Sequence, residues 1–360
     1  MIGPFSKKWS AFAQLRKQTH NSVIEQIAKG QKMTKTKRYD LPSYTEGWFQ
    51  IGWSQQLPVG AIKKVEQFGK TYVLFRGEDG QVGLVDDVCP HLGSRFSAGG
   101  CVKKNAVRCP YHHWSFDRTG QCTDIPYAKK IPPKAKVAAH TVVERYGMIF
   151  MYRNKAGASP TYDLPQIGDF DPNHYGQPHT YEFRIRIHGQ DIMENSVDSP
   201  HFAAVHGHNM PENRFQHDGR SLRITQMTSL KRFGTTLKGR LEFHMIEPGF
   251  HYCHFPEMPM TPALVFSSIV PVDGEFTNHR LTLWTKKTRV PFLSGLAGLF
   301  VRWQMMKTYH EDMEIWESKE YLTQPILCDG DGAIMKLRRW YGQFYDDASP
   351  SSVQAPLQAS

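Results

Sequence analysis

The chain has 360 residues, 40% of them hydrophobic and 22% charged, with a net charge of +10. This length allows a sizeable core and usually means two domains. No window holds the roughly 18 apolar residues of a membrane-spanning helix, and the start lacks the apolar stretch and cleavage site of a secretory signal. We therefore expect a cytoplasmic protein whose six cysteines do not form a disulfide framework.

The first part of the chain is strongly basic. Residues 1–38 contain nine Lys or Arg residues against one acid, Glu25. We interpret residues 1–45 as a basic N-terminal arm. Three roles remain open for it: a solvated arm on the body, a peripheral membrane contact, or a docking patch for an acidic redox partner. No nucleic-acid recognition motif accompanies the charge, so a nucleic-acid partner is not expected.

A region rich in turns and short β-type segments follows. Residues 71–76 and 81–85 are β-type runs around a turn at 78–80. We predict an antiparallel β domain over residues 46–155, with loops at one end.

Two loops of this domain each carry a cysteine and a histidine. Cys89 and His91 lie in the motif CPHLGS, and Cys109 and His112 lie in the motif CPYHHW. Two thiolates on one iron and two imidazoles on the other can hold a [2Fe–2S] cluster. The same donor set also suits a structural zinc ion, but zinc sites usually pair like with like, as C-x2-C and H-x3-H. The mixed order favours the cluster.

The second half of the chain combines strands with helices. Residues 153–180 are rich in Pro, Gly and Asp, which is typical of a linker or covering loop. Residues 181–187 alternate apolar and polar side chains, as a half-buried strand does. More β-type segments lie between about 220 and 288, and two helical stretches cover 191–206 and about 296–322. We predict a second domain over residues 156–348 and a flexible tail over 349–360.

A second candidate metal site lies in the segment 194–207. It contains His201 and His206, and two imidazoles with one carboxylate form the facial triad that holds Fe(II) with open positions. The H-x4-H spacing places the two histidines about 140° apart on an ideal helix, so a straight helix cannot aim both at one metal. Ser199-Pro200 predicts a helix restart with Ser as its cap, and Gly207 predicts a helix end. Alone, this pattern would favour ordinary hydrogen-bonded histidines.

The third ligand must come from elsewhere in the chain. The downstream helix offers four acids, of which Asp312 shares its stripe with Met305, Tyr309, Ile315 and Trp316. Glu311 shares an exposed face with Gln304 and Lys307. A carboxylate on an apolar face is costly unless it is paired or bound to a metal. We therefore predict Asp312 as the ligand.

These motifs resemble those of the Rieske non-haem iron oxygenases. The resemblance implies Cys89, His91, Cys109 and His112 as cluster ligands, and it agrees with a mononuclear iron on His201, His206 and Asp312. Cys101 and Cys122 do not match the disulfide-forming cysteines of respiratory Rieske proteins. His113 stands where many members have Gly or Asp. The implied fold is α+β: an antiparallel β Rieske domain, then a catalytic domain of antiparallel sheet and helices around the iron.

The resemblance also implies partners and further catalytic residues. An acid at the position of Asp198 links the cluster of one subunit to the iron of its neighbour in a homotrimer; the alternative is a helix-capping acid. Asn195 is expected beside Asp198 in the catalytic site. The chain has no G-x-G-x-x-G dinucleotide motif, so electrons should come from a separate ferredoxin or flavin reductase.

The substrate expectation rests on the family branch. The stretch from Glu311 to Tyr345 is similar to the oxygenase component of 3-ketosteroid 9α-hydroxylase, and Glu194-Asn195 is similar to the sterol 7-desaturases. Both imply an apolar polycyclic substrate, which is hydroxylated or desaturated. A Rieske hydroxylase or demethylase for small aromatic compounds is the alternative. Two alternatives lie outside oxygenase chemistry. A Rieske electron carrier would not need the facial triad, and a zinc-stabilised lipid-binding module would be colourless as purified.

Overall fold

The computed structural model describes residues 39–168, 170–207, 212–217, 219–232, 235–255, 262–287 and 291–346. The predicted basic arm, apart from its last residues, and the predicted flexible tail lie outside these residues. Within them, every strand pairs with its neighbours in antiparallel fashion. The predicted α+β class, with sheet predominating, is therefore confirmed.

The first half of the chain forms three small sheets. Their strand orders are β1-β11-β10, β2-β3-β4-β9 and β5-β6-β7-β8. The central strand β3 is rich in aromatic and β-branched residues and is buried on both faces, as its run of large apolar side chains predicts. The strands are β1 Gly47–Trp53, β2 Ile62–Gln67, β3 Lys70–Arg76, β4 Val82–Asp86, β5 Cys101–Lys103, β6 Ala106–Arg108, β7 Ser115–Phe116, β8 Cys122–Asp124, β9 Ala139–His140, β10 Val142–Arg145 and β11 Met148–Arg153.

The second half forms one seven-stranded sheet with helices. The strand order is β12-β18-β17-β16-β15-β14-β13. These strands are β12 His179–Ile185, β13 Glu212–His217, β14 Leu222–Arg232, β15 Thr235–Glu247, β16 Phe250–Phe255, β17 Ala263–Pro271 and β18 Thr277–Thr285. The helices are α1 Gly189–Glu194, α2 Ser199–Ala204, α3 Pro291–Ser318 and α4 Ile334–Gly342.

Strand β18 contacts the helices on one face and the first half of the chain on the other. On one face His279 bonds the hydroxyl of Tyr309 on α3. On the other face Thr282 accepts a hydrogen bond of 2.9 Å from the indole of Trp53, at the end of β1. Because successive side chains of a strand point to opposite faces, the sheet lies between the helices and the first half of the chain.

Two sequence predictions about helices need correction. The helical stretch 191–206 is two short helices, because the chain leaves the helical path between α1 and α2. The cap of α2 is Asp198, whose side chain accepts from the amide of His201, and not Ser199. An aspartate at this position satisfies an otherwise unpaired amide. Pro200 lies in the first turn, as predicted.

The other helices also differ from expectation. Helix α3 begins earlier than predicted and ends at Ser318. Helix α4 was not predicted, although its buried residues follow a helical period: Ile334, Leu337, Trp340 and Tyr341. Among the helices of the described residues, none has the length and hydrophobicity that a membrane-spanning segment needs.

Candidate metal centres

The two Cys-His loops have the same backbone geometry. The amide of Cys89 donates to the carbonyl of Ser94 at 2.8 Å, and the amide of Cys109 donates to the carbonyl of Trp114 at 2.8 Å. In each loop the residue four positions after the cysteine then donates back to the cysteine carbonyl. The backbones of the two loops are therefore closed by the same hydrogen bonds, although the histidine follows the cysteine by two residues in one loop and by three in the other.

The residue four positions after each cysteine has a left-handed backbone. Gly93 has φ of 79° and His113 has φ of 62°. Glycine adopts this conformation without steric cost, whereas other residues are uncommon there. Position 113 therefore requires a backbone conformation that a histidine seldom adopts. This conformation also separates the role of His113, which closes the turn, from that of its neighbour His112.

The four predicted cluster ligands come together between these loops. The imidazole rings of His91 and His112 lie 4.6 Å apart between centroids. Cys89 and Cys109 are both buried and free, and their thiols are within hydrogen-bonding reach of each other. Burial raises the pKa of the Cys89 thiol to about 12. Such a thiol stays protonated at neutral pH until a metal ion displaces the proton.

One buried ring atom supports a ligand between the loops. Nδ1 of His91 is buried and has no hydrogen-bond partner among the described residues. A buried polar atom without a partner is costly, and a bound metal removes that cost. Two neighbouring thiols and two neighbouring imidazoles, one with such a free nitrogen, fit a [2Fe–2S] cluster.

An indole fixes the orientation of one cluster histidine. Trp114 stacks on His91 with 4.4 Å between centroids and 9° between planes. Its Nε1 donates to the hydroxyl of Tyr127 at 2.8 Å. The sequence analysis did not assign a role to Trp114, although it is part of the motif CPYHHW.

The second site brings three predicted ligands together across 111 positions of sequence. The donor atoms of His201, His206 and Asp312 all lie within 4.8 Å of one another. Nε2 of His201 is 2.8 Å and Nε2 of His206 is 3.1 Å from Oδ1 of Asp312. The break between α1 and α2 and the left-handed Gly207 (φ 67°) after His206 are what let both rings face α3.

The electrostatics of this triad suit a cation. Burial would raise the pKa of the Asp312 carboxyl, but hydrogen bonds from His201 and His206 hold it below its ordinary value. Burial would lower the pKa of His206, but hydrogen bonds to Asp312 and Glu311 raise it above its ordinary value. The site thus contains an ionised carboxylate that attracts positive charge. Two imidazoles and one carboxylate fit Fe(II).

Glu311 occupies a different position from the one predicted. The helical pattern put it on an exposed face with Lys307, and the side chain does lie 3.5 Å from Lys307. However, its Oε2 is also 3.0 Å from Nδ1 of His206. A carboxylate on the far nitrogen of a metal-binding histidine fixes the ring and its tautomer. The sequence could not show this contact, because it depends on how α2 packs against α3.

Asn195 lies beside the triad. Its Nδ2 is 3.4 Å from Nε2 of His201. Its Oδ1 accepts a hydrogen bond of 3.3 Å from the indole of Trp316 on α3. Because the indole can only donate, it holds the amide with its nitrogen toward His201.

A buried polar chain ties the ligand-bearing helix to the sheet. The hydroxyl of Tyr309, one turn before Asp312, is 2.7 Å from Nδ1 of His279. Nε2 of His279 is 2.6 Å from Oγ of Ser267. Burial lowers the pKa of His279 to about 3, so the imidazole is neutral and bonds on both sides. This series of hydrogen bonds fixes the position of Asp312 relative to the sheet.

Asp198 caps helix α2 next to the triad. Its Oδ1 accepts from the amide of His201 at 3.3 Å. The capping alternative of the sequence analysis is therefore observed. It does not conflict with the predicted bridging role, because a carboxylate has a second oxygen. That role remains a prediction.

The fold and the two sites together define a class, the Rieske-type oxygenases with a separate mononuclear iron. Residues 47–141 match the Rieske [2Fe-2S] domain family. Residues 151–345 match the family described as 3-Ketosteroid 9alpha-hydroxylase C-terminal domain. The chain belongs to the Rieske oxygenases with this C-terminal domain.

Curated relatives cover nearly the whole chain. Cholesterol 7-desaturase nvd 1 of Ciona intestinalis is 29% identical over 339 residues, which span 86% of this chain and 70% of the relative. The oxygenase component of 3-ketosteroid-9-alpha-monooxygenase of Rhodococcus rhodochrous is 27% identical over 84% of this chain and 82% of the relative.

Solved structures agree in fold. Dicamba monooxygenase bound to dicamba has a TM-score of 0.70 at 18% identity, over 84% of this chain and 98% of that one. NdmA of Pseudomonas putida CBB5 with caffeine has a TM-score of 0.68 at 19% identity, over 82% of this chain and 89% of that one.

The expected family, enzyme class and cofactors are confirmed. The chain is an oxidoreductase that uses a [2Fe–2S] cluster and a mononuclear iron, and it is the oxygenase component of a system with a separate electron-transfer partner. The residue-by-residue ligand assignments remain predictions.

Proposed function

We propose that this chain is the terminal oxygenase that hydroxylates or desaturates a steroid or sterol. The observation that carries the proposal is the convergence of His201, His206 and Asp312 in a chain that also holds the paired Cys-His loops. We assign the Rieske function to residues 46–155 and the catalytic function to residues 156–348.

In the first domain, Cys89 and Cys109 would hold one iron of the cluster and His91 and His112 the other. The cluster supplies one-electron transfer, at a potential that its imidazole ligands raise. The protein contributes a rigid frame, because the two loops are closed by backbone hydrogen bonds and Trp114 stacks on His91. It also keeps the thiols away from water, since both are buried.

In the second domain, His201, His206 and Asp312 would hold the mononuclear iron. Bound there, Fe(II) supplies the redox chemistry that activates O2 for attack on a C–H bond. Glu311 fixes the tautomer of His206, so that Nε2 is the nitrogen available to the metal. Asn195 places an amide nitrogen next to His201.

Asp198 would connect the iron site to the cluster of a second subunit. We propose a homotrimer in which the carboxylate of Asp198 bonds a cluster histidine of the neighbouring subunit. Its position directly before α2, with Oδ1 on the amide of His201, keeps the carboxylate next to the iron ligands. Its half-buried side chain is compatible with a partner across an interface.

The surroundings of the triad favour an apolar substrate. Phe202 is half-buried with its ring 5.2 Å from that of His201, and Val205 is half-buried beside His206. Tyr309, Met313 and Trp316 flank Asp312 in one apolar cluster with the inner face of the sheet. Such a lining suits a polycycle with few hydrogen-bonding groups. The relatives named for cholesterol and 3-ketosteroids support the same class.

The start of α3 supports entry of such a substrate. Residues 292–300 form an apolar run at the start of this helix. Leu299 is 58% exposed and Trp303 is 57% exposed, so this part of the helix is not plain core. Exposed apolar side chains on neighbouring turns form a contact surface for a lipid-like molecule.

The remaining parts of the proposal concern location and partners. We propose a cytoplasmic protein that takes electrons from a ferredoxin or a flavin reductase. Peripheral membrane contact through the basic arm concerns residues outside those that the structure describes. The charge of residues 1–38 supports it.

Metal analysis tests the proposal most directly. The purified protein should be red-brown and contain about three irons and two acid-labile sulfides per chain, as one [2Fe–2S] cluster and one iron require. Stoichiometric zinc without sulfide would refute it.

Turnover with a reconstituted reductase tests the substrate. We expect steroid- or sterol-dependent consumption of NAD(P)H and O2, with a mono-oxygenated or desaturated ring product. Tight coupling on benzoate-type compounds and no response to any steroid would refute the substrate class and leave the oxygenase class intact.

A further inference from the structure

A lysine-rich segment lies directly beside the cluster loops. Residues 126–136 contain four lysines and no acid: Lys129, Lys130, Lys134 and Lys136. Every residue of the segment is exposed except Ala135. The segment is held in place by backbone bonds, since Ala135 donates to Pro132 at 2.9 Å and accepts from Cys122 at 3.0 Å. The backbone between Lys134 and Lys136 is thus held in place.

The segment is connected to a cluster histidine through two aromatic side chains. The hydroxyl of Tyr127 accepts from the indole of Trp114, which stacks on His91. Tyr127 is itself 63% exposed, and Ile131 in the same segment is 41% exposed. A molecule that binds over this segment therefore contacts Tyr127, which a single side chain, Trp114, connects to the cluster histidine His91.

A groove of about 470 Å³ adjoins this segment, because Lys136 belongs to both. Val88 and Pro90, the two neighbours of Cys89, line it. Lys70, Arg95 and Lys136 also line it, and Lys70 and Lys136 are exposed. Asp86, the acid among its lining residues, lies 2.7 Å from Nε2 of His140. We call the groove and the segment 126–136 together the lysine face.

We propose that the lysine face is the docking site for the electron donor, and that the donor is an acidic, low-potential [2Fe–2S] protein. This inference rests on the proposed cluster ligands. A positive surface attracts an acidic partner and speeds its encounter. Tyr127 and Ile131 supply apolar contact within a charged surround, as protein interfaces commonly do.

The redox balance of this step is simple. The donor cluster loses one electron and the cluster on Cys89, His91, Cys109 and His112 gains it, and no covalent bond forms or breaks. Plant-type ferredoxins have lower potentials than Rieske centres, because the imidazole ligands raise the potential of the Rieske cluster. The electron therefore moves downhill. Close docking matters because electron transfer slows steeply with distance.

Charge reversal tests the docking site. The variant Lys130→Glu/Lys136→Glu reverses the charge of two lysines of the segment, one of which, Lys136, also lines the groove. The control Arg223→Glu/Arg339→Glu makes the same change of charge at exposed positions of β14 and α4. The probe is a reduced plant-type [2Fe–2S] ferredoxin, and stopped-flow bleaching of the oxygenase cluster gives the reduction rate. Photoreduced 5-deazariboflavin, an uncharged small reductant, serves as the second probe.

We expect the lysine variant to be reduced about tenfold more slowly by ferredoxin at low ionic strength, as loss of electrostatic steering implies. The difference should shrink to less than about twofold at about 0.5 M salt, where charges are screened. The control, and the reduction of both variants by 5-deazariboflavin, should match the unaltered chain.

Several results would overturn the docking site. They are an unchanged rate in the lysine variant, equal slowing in the control, or equal slowing with 5-deazariboflavin. Loss of binding to phosphatidylserine vesicles with normal reduction by ferredoxin would make the face a membrane contact instead. Absence of the cluster spectrum from the unaltered protein is a different result, since it would refute the proposed function itself.

Discussion

Glu311 should strengthen iron binding although it does not bind the iron. Its Oε2 lies 3.0 Å from Nδ1 of His206, and the imidazole is only 3% exposed. Removing this carboxylate by Glu311→Ala leaves the ring free to rotate and to change tautomer. A hydrogen bond to a charged group contributes about 1.5–3 kcal/mol.

The surroundings set the magnitude within that range. Glu311 is 32% exposed and also lies 3.5 Å from Lys307, so its charge is partly screened. We therefore expect Glu311→Ala to cost about 2 kcal/mol of Fe(II) binding, or about 30-fold in affinity. Glu311→Gln keeps an acceptor and loses only the charge, so it should cost about 1 kcal/mol, or about fivefold.

Competition with a colorimetric Fe(II) chelator measures this affinity, and the absorbance of the cluster in the same sample shows that the first domain is intact. Glu314→Gln is the matched control, because Glu314 is an exposed acid one turn further along α3. An unchanged iron affinity in Glu311→Ala would refute the reasoning. So would an equal loss in Glu314→Gln, since that would point to the net charge of the helix.

Four further outcomes follow from the structure. Asp312→Ala should lose the mononuclear iron and keep the cluster spectrum, since the two sites lie in different halves of the chain; normal iron content and turnover would show that another carboxylate is the ligand. Asp198→Asn should keep both metals, because Asn caps a helix as well as Asp, yet nearly abolish substrate-coupled NAD(P)H consumption; normal coupling would argue against the bridging role. Iron affinity should fall with decreasing pH and begin to fall above the ordinary histidine pKa of 6.5. Burial alone would lower the pKa of His206, but its two carboxylate partners raise it by more, so the pKa lies above its ordinary value. Only the neutral imidazole binds a metal ion. An iron affinity that stays constant down to about pH 6 would contradict this prediction. Arg338→Met should destabilise the fold by about 3–5 kcal/mol, measured by urea unfolding. Its Nε and Nη2 lie 2.8 and 2.9 Å from the carboxylate of Glu194, which is 7% exposed and would be left buried without its cation; a loss below about 1 kcal/mol would mean that the carboxylate finds another partner.

The cluster loops were readable from the sequence because all their determinants are local. Each Cys-x-His or Cys-x2-His motif lies within six residues, and the backbone bonds that close it stay within the same segment. The choice of His112 over His113 also follows from local geometry, since the left-handed backbone at His113 turns that side chain into the loop closure. Only the stacking of Trp114 on His91 required the folded loops.

The iron site divides differently between sequence and structure. The sequence predicted the two histidines only in combination with the cluster motifs, because their spacing alone would favour ordinary hydrogen-bonded histidines. It predicted Asp312 from the helical period, since a carboxylate stands out on an apolar stripe. It misplaced the cap of α2 and left Glu311 on an exposed face. Neither the cap of α2 nor the position of Glu311 can be derived from the pattern of one helix. The contact of Glu311 with His206 and the chain from Tyr309 to Ser267 join elements far apart in sequence. Such contacts depend on how α2, α3 and the sheet pack together, and periodicity within one segment carries no information about that packing.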